Sequence, residues 1–312
     1  MNVLVTQQSV PIPSPAELEY QPSPQQVFPL HVQEMLDFAK TQVGNGKSGE
    51  EFQTPGFDAD SQLLADIKQG ATSWRALEII YNYYERYRDR DDHSAELWIG
   101  TMRNAQAVRN RLKGLKLALR HLLQARAQHS GRGSSENPVR MLSLAAGSAQ
   151  GVLEVVAELK SEGIYVAVTL IDGDVAVRGL LEQRISALGL DNMVRFHAEN
   201  AFKFRKITSG QQFDLVEMAG LMDYLQHSFA VSLCRKIQAE ALESEGYFLT
   251  CHIHENEEVD FMRYVINWGN RPLMLYRNKQ DFINILKESG FRIAHSWTEP
   301  HEIHTIAVGE KG

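Results

Sequence analysis

From residue 139 to the C-terminus, short apolar runs alternate with amphipathic stretches, and no other feature restricts the chain as strongly. VRMLSL (139–144), IYVAVTLI (164–171), MVRFHA (193–198), FDLVEMA (213–219), GYFLTCHI (246–253), FRIAHSW (291–297) and HTIAVG (304–309) have the length and β-branched content of buried strands. Between them, Val152, Val155, Val156 and Leu159, then Val177, Leu181, Ile185 and Leu188, recur at helical spacing. Further helices are expected at about 229–242 and at 281–289, the latter stopped by Gly290. Strands alternating with helices predict an α/β fold: a doubly wound, Rossmann-like sheet of about seven strands, mainly parallel and covered on both faces. Right-handed crossovers then put a ligand at the carboxyl ends of the strands.

The rest of the 312 residues organises around that domain, which is expected over 138–312. Seven of the ten prolines fall in the first 55 residues, and residues 1–58 read as a largely irregular leader with one short helix at 31–40. Residues 59–130 read as a helical cap, with Trp74, Leu77, Tyr81 and Tyr84 on one stripe. HSGRGSSENP (129–138) is a linker by composition. A net charge of −7 excludes a strongly basic nucleic-acid footprint, and no apolar run is long enough to span a membrane. The first fifteen residues have no basic region and no long apolar core, so no secretory signal is expected. Two cysteines, Cys234 and Cys251, are too few for a disulfide framework, and a cytoplasmic setting is expected.

Charge is unevenly spread. Between Glu96 and Glu136 there is no acidic residue, while Arg103, Arg109, Arg111, Lys113, Lys116, Arg120, Arg126 and Arg132 all fall there. This stretch is either a solvated helix face or a surface for an anionic or carrier-bound substrate.

The loop after the first strand is Ala145, Ala146, Gly147, Ser148, Ala149, Gln150 and Gly151. Small residues there either let a ligand approach the backbone or merely make a tight connection. The second strand ends in Asp172, Gly173 and Asp174. An acid at Asp172 can accept both hydroxyls of a ribose, or it can cap the next helix. Asp223 and Tyr224 follow the fourth strand, where they face an acceptor or serve capping and packing. Trp268, Arg271, Tyr276 and Arg277 lie where a substrate cap often sits, or on an ordinary loop. Tyr81 and Tyr84 either cover a ligand or belong to a core stripe. His252 and His254, with His301 and His304, offer no third ligand, so no metal site is expected. His252 or His227 is a candidate general base.

Taken in order, MLSLAAGSAQG, VTLIDGD, VRFHAENAF and FDLVEMAG resemble the successive motifs of class I S-adenosylmethionine-dependent methyltransferases. The resemblance implies S-adenosylmethionine as cofactor. It implies Ala145, Gly147 and Ser148 at the methionine end, and Asp172 with Gly173 at the ribose. Asn200 and Ala201 would meet the adenine, and Met218, Ala219 and Gly220 the sulfonium. It departs from the family pattern at Ser143, where an acid is usual, and at Ala145 and Ala149, where glycines are usual.

AGLMDYL (219–225) and MLYRNKQDFINIL (274–286) resemble a bacterial branch that makes 3-hydroxy fatty acid methyl esters. The general plan is also similar to proteins that cyclise S-adenosylmethionine to azetidine-2-carboxylate. The expected function is methyl transfer to a carboxylate, hydroxyl or amine of a small molecule in bacterial secondary metabolism or signalling, with Asp223, Tyr224 and His252 as catalytic candidates. Cyclisation with release of methylthioadenosine is the first alternative, and a non-catalytic binding protein the second. The partner is expected to be a small molecule, free or carrier-bound, with neither nucleic acid nor membrane. The oligomeric state is left open.

Overall fold

The computed structural model describes residues 10–270 and 272–311. The N-terminal part holds helices α1 (Pro24–Val27), α2 (Pro29–Gly44), α3 (Gln62–Gln69), α4 (Trp74–Tyr81) and α5 (His93–Thr101), followed by the 28-residue α6 (Arg103–Ser130). Pro24 and Pro29 occupy the first turns of α1 and α2, where the missing N–H has no partner to lose and the fixed φ suits the helix. The prolines thus start helices instead of preventing them. Both helices fall within residues 1–58, the stretch expected to be largely irregular with one short helix at 31–40. Helix α2 runs for 16 residues, longer than 31–40, and buries Val32, Met35, Leu36 and Ala39, while Phe52 and Phe57 enter the same cluster. Residues 1–9 of the leader lie outside the described residues.

From residue 139 the chain alternates as its pattern predicts: β1 (Val139–Leu144), α7 (Gln150–Ser161), β2 (Val166–Asp172), α8 (Arg178–Ala187), β3 (Val194–Ala198), α9 (Phe204–Ile207), β4 (Phe213–Met218), α10 (His227–Lys236), β5 (Leu242–Ile253), α11 (Lys279–Glu288), β6 (Phe291–Thr298) and β7 (His304–Lys311). These strands form one sheet in the order β3-β2-β1-β4-β5-β7-β6. The first five are mutually parallel, and β7 runs antiparallel to both β5 and β6. Strand order reverses between β1 and β4, and such a switch point opens a crevice at the carboxyl ends of the strands.

Three apolar clusters hold these layers. On one face Leu115, Leu119 and Leu122 of α6 and Val152 and Val156 of α7 pack on Met141, Leu215 and Val308. On the other, Leu233 and Phe282 cover Leu142, Val216 and Phe248. The third cluster joins the cap to the segment after β5, and in it Phe57 meets Phe261 and Trp98 edge-on, with ring centroids 5.7 and 5.9 Å apart. Helix α6 therefore does not belong to the cap alone. It ends at the left-handed Gly131, as the linker composition suggests, but much of it lies on the sheet.

Gly114 makes that contact close. A Cβ there would sit 2.5 Å from Trp297 Cζ3 and 2.8 Å from Ile306 Cδ1. Gly114→Ala is expected to cost about 1–3 kcal/mol through overpacking. Urea denaturation of the two proteins checks this, and an unchanged midpoint would show that α6 can lift off the sheet without penalty.

Candidate active site

The crevice at the switch point is a cavity of about 430 Å³ that runs from the β1–α7 loop into the space between cap and sheet. The loop has an unusual backbone. Ala145, Gly147 and Ala149 have φ of 53°, 51° and 48°. Two alanines thus adopt a conformation that glycine takes freely and that strains an L-residue. The Asp172 carboxylate at the end of β2 fastens the loop: Oδ2 accepts the Gly147 N–H at 2.7 Å and Oδ1 accepts the Asp174 N–H at 2.8 Å. Opposite the loop stands Trp74 of α4. Its Nε1–H donates to Asp174 Oδ2 at 2.8 Å, and its Cβ would lie 3.3 Å from a Cβ on Gly147. The cap is stitched down again where Asn82 and Gln150 exchange amide hydrogen bonds of 2.9 and 3.0 Å.

The far part of the cavity is mostly apolar, with Phe57, Ile80, Trp98, Met102, Met262 and Met274 in its wall. Its polar members are few and buried. Of the eight cations in the acid-free stretch, seven are engaged by carboxylates. Arg109 and Lys113 meet Glu19, Arg103 meets Glu257, Lys116 meets Glu154, Arg120 meets Glu158, and Arg126 and Arg132 share Asp214. That face is therefore structural. Arg111 differs. It is 5% exposed and borders the cavity. Its Nη2 donates to the Tyr81 hydroxyl at 2.9 Å, and its Nε has no partner. His304 also borders the cavity, and neither of its ring nitrogens has a partner. Burial, together with Arg111, holds that imidazole well below its usual pKa, hence neutral.

Glu217 on β4 is the third. It pairs in register with Ser143, whose hydroxyl donates to Oε2 at 2.5 Å, and burial pushes its carboxyl up to about 7. Asp223 borders the cavity too. Its Oδ1 accepts the Ile253 N–H at 3.0 Å and lies 2.7 Å from His252 Nδ1.

Of the sequence-derived candidates, Ala145, Gly147, Ser148, Asp172, Ala219, Gly220, Asp223, Tyr224, Tyr81 and Trp268 meet around this one cavity. Gly173 and Ala201 are not among the residues bordering it, and neither are several others that have found different work. Asn200 caps its own turn by accepting the Phe202 N–H at 2.8 Å. Met218 packs into the opposite face of the sheet. Tyr84 is 40% exposed and donates to the Gly100 carbonyl, while its neighbour Tyr83 is the buried one. His252 lies against Phe282, with centroids 5.5 Å apart, on the α11 side.

Arg277 donates to the Met222 carbonyl at 3.2 Å and to that of Leu225, so it braces the turn that carries Asp223. Tyr276, its phenol raised to about 12 by burial, packs in the cap cluster. His254 bonds the Arg277 carbonyl and the Thr305 hydroxyl, both at 2.6 Å. His227, exposed on α10, meets Glu288 at 3.0 Å instead. Arg271 lies outside the described residues. Among the described residues no three His, Cys, Asp or Glu side chains come together to hold a metal, and no helix is long and apolar enough to cross a membrane.

The displaced pKa of Glu217 has a measurable sign. Its folded-state value lies above the ordinary 4.5, so the neutral form supports folding at low pH and that support is lost as pH rises through about 7. Glu217→Gln cannot ionise. It is expected to match the parent near pH 5 and to exceed it by roughly 2–3 kcal/mol at pH 8.5. Denaturation at the two pH values tests this, and a difference that does not change with pH would refute it.

Comparison with known proteins agrees with this architecture. A crystal structure described as a possible exported protein, from Bordetella parapertussis, superposes with a TM-score of 0.62 over 90% of this chain and 95% of that one, at 14% identity. A DszA carbon methyltransferase gives 0.51 at 16% identity, over 80% of this chain and 62% of that longer one. The magnesium protoporphyrin IX methyltransferase of Synechocystis, solved with bound S-adenosylmethionine, gives 0.46 at 12% identity, over 76% and 97%. At these identities the first two likenesses are ones of fold. No curated protein sequence matches the chain. Residues 102–311, about two-thirds of the chain and the whole of the sheet with α6, match the family described as "Putative methyltransferase", and the chain belongs to that methyltransferase family.

Proposed function

We propose that this protein transfers a methyl group from S-adenosylmethionine to an acidic oxygen, a carboxylate or an acidic hydroxyl, on a small and largely apolar acceptor. The observation that carries this reading is one continuous cavity. One end is the left-handed loop with Asp172 and Trp74, and the other is an apolar chamber holding Arg111 and His304. The cofactor end fits the donor on its own geometry: the 145–149 turn brings backbone close, and Asp172 stands at the carboxyl end of β2 beside it.

S-adenosylmethionine supplies an activated methyl carbon, so the chain has mainly to align a nucleophile and exclude water. Trp74 and the Asn82–Gln150 pair close the cap over the loop and shut solvent out. Phe57, Trp98 and Met262 take up the acceptor's apolar body. Arg111, charged at any working pH and without a carboxylate partner, holds the acceptor's oxygen as an anion. The neutral His304 can accept a hydrogen bond from a hydroxyl acceptor through an unpartnered ring nitrogen. A carboxylate acceptor needs no base. The apolar chamber that extends the cavity beyond the loop favours transfer to an acceptor over intramolecular cyclisation.

The test is product analysis. With S-adenosylmethionine and a panel of apolar carboxylic acids and phenols, S-adenosylhomocysteine and a methyl ester or ether should appear together. Arg111→Gln should raise the acceptor KM about tenfold or more, since a charged hydrogen bond contributes about 1.5–3 kcal/mol, and leave the Kd for S-adenosylhomocysteine within about twofold. Methylthioadenosine released from S-adenosylmethionine alone, or methylation confined to amines, would overturn the proposal.

A further inference from the structure

The switch point of the sheet holds a carboxyl group that acceptor binding leaves without a task. Glu217 sits on β4 directly across from Ser143 on β1, two residues before the Ala219–Gly220 turn, and borders the cavity under the 145–149 loop. It is 6% exposed. Its hydrogen-bond partners are the Ser143 hydroxyl and the Ala219 amide, and Arg111 acts on it only through space. A buried carboxylate is costly unless a cation or several donors meet it. Ser143 and Ala219 leave lone pairs on both oxygens unanswered. The group is thus incomplete in the protein alone, at the one place where both central strands end against the cavity.

We propose that Glu217 receives the α-ammonium group of the bound cofactor's amino-acid end. This rests on the reading that S-adenosylmethionine is the methyl donor. An ammonium brings three N–H donors and a positive charge, and so fills the carboxylate's empty positions while neutralising it. A sulfonium carries charge but no donor and would leave those positions empty. The β1 position opposite is a hydroxyl, which cannot bind a cation by charge. Ser143 instead orients the Glu217 carboxylate and leaves Oε1 toward the ligand's cation. The ammonium site thus belongs to β4, although the turn that cradles the ligand belongs to β1.

Isothermal titration of the full chain at pH 8 with three ligands tests the assignment. S-adenosylmethionine carries ammonium and sulfonium, S-adenosylhomocysteine only the ammonium, and methylthioadenosine neither. Glu217→Gln is expected to weaken the first two by the same factor, about tenfold or more, and to leave methylthioadenosine within about twofold. Glu217→Asp, which keeps the charge but retracts it, should give the same selective pattern at smaller size, and serves if the Gln variant does not fold. Equal loss for all three ligands would mark Glu217 as structural and overturn the proposal. Unchanged affinity for all three would overturn it as well. A loss confined to S-adenosylmethionine would move Glu217 to the sulfonium and overturn the ammonium assignment. If the parent protein binds none of the three, the donor reading itself fails, an outcome distinct from each of these.

Discussion

Close contact between α6 and the sheet at Gly114, with the indole of Trp297 and the Ile306 methyl filling the space a side chain would need, sets the geometry on which the site depends. Toward its C-terminus α6 is one layer of the sheet core, and at its start it reaches the cap. Its first turn is held by Glu258, which accepts the N–H groups of Arg103 and Asn104 at 3.1 and 2.8 Å and so meets the positive end of the helix with a carboxylate. Between these two regions lies Arg111, one turn before Gly114. The helix therefore delivers Arg111, a cation with no carboxylate partner among the described residues, to the boundary between the apolar chamber and the sheet, while its remaining cations are spent on fixing its position.

Much of the sheet is legible in the sequence because burial on both faces leaves continuous apolar runs, and a run bounded by helical periodicity has few other readings. β1 is read to the residue, and the helix ends fall within a few residues of where Gly290 and the apolar stripes set them. The starts of α1 and α2 are not legible because proline counts say nothing of position: the same residue that breaks a helix in its middle starts one at its first turn.

The placement of candidate residues is legible where a motif sits at a strand end, as for Gly147, Asp172 and Asp223, which border the cavity. It is not legible where a side chain has a choice of partner. Asn200 satisfies its own turn, and Met218 faces away because alternate residues of a strand point to opposite sides. Arg111 carries the same charge signal as its seven neighbours, and only the absence of a carboxylate beside it sets it apart. Glu217 sits inside a stretch that reads as buried strand. What singles it out is the β1–β4 register, a relation between residues far apart in sequence that no local pattern encodes.

The leader has one more consequence. Its extended backbone is gripped by side-chain amides of α6: Asn110 accepts the Glu19 N–H at 2.8 Å and donates to the Glu19 carbonyl at 2.8 Å, and Gln106 does the same for Gln21 at 2.7 and 3.0 Å. Between these two grips Tyr20 stacks on His301, with ring centroids 4.9 Å apart. Residues 19–21 are thus fastened against the turn before β7, about 280 residues further along the chain. On a ribosome, the sheet's first strands can form while Tyr20 still has nothing to stack on. The contact between Tyr20 and His301 is completed only once the turn before β7 has been made. That contact ties off a loop of about 280 residues, and a loop of that length has to be ordered before the contact rewards it.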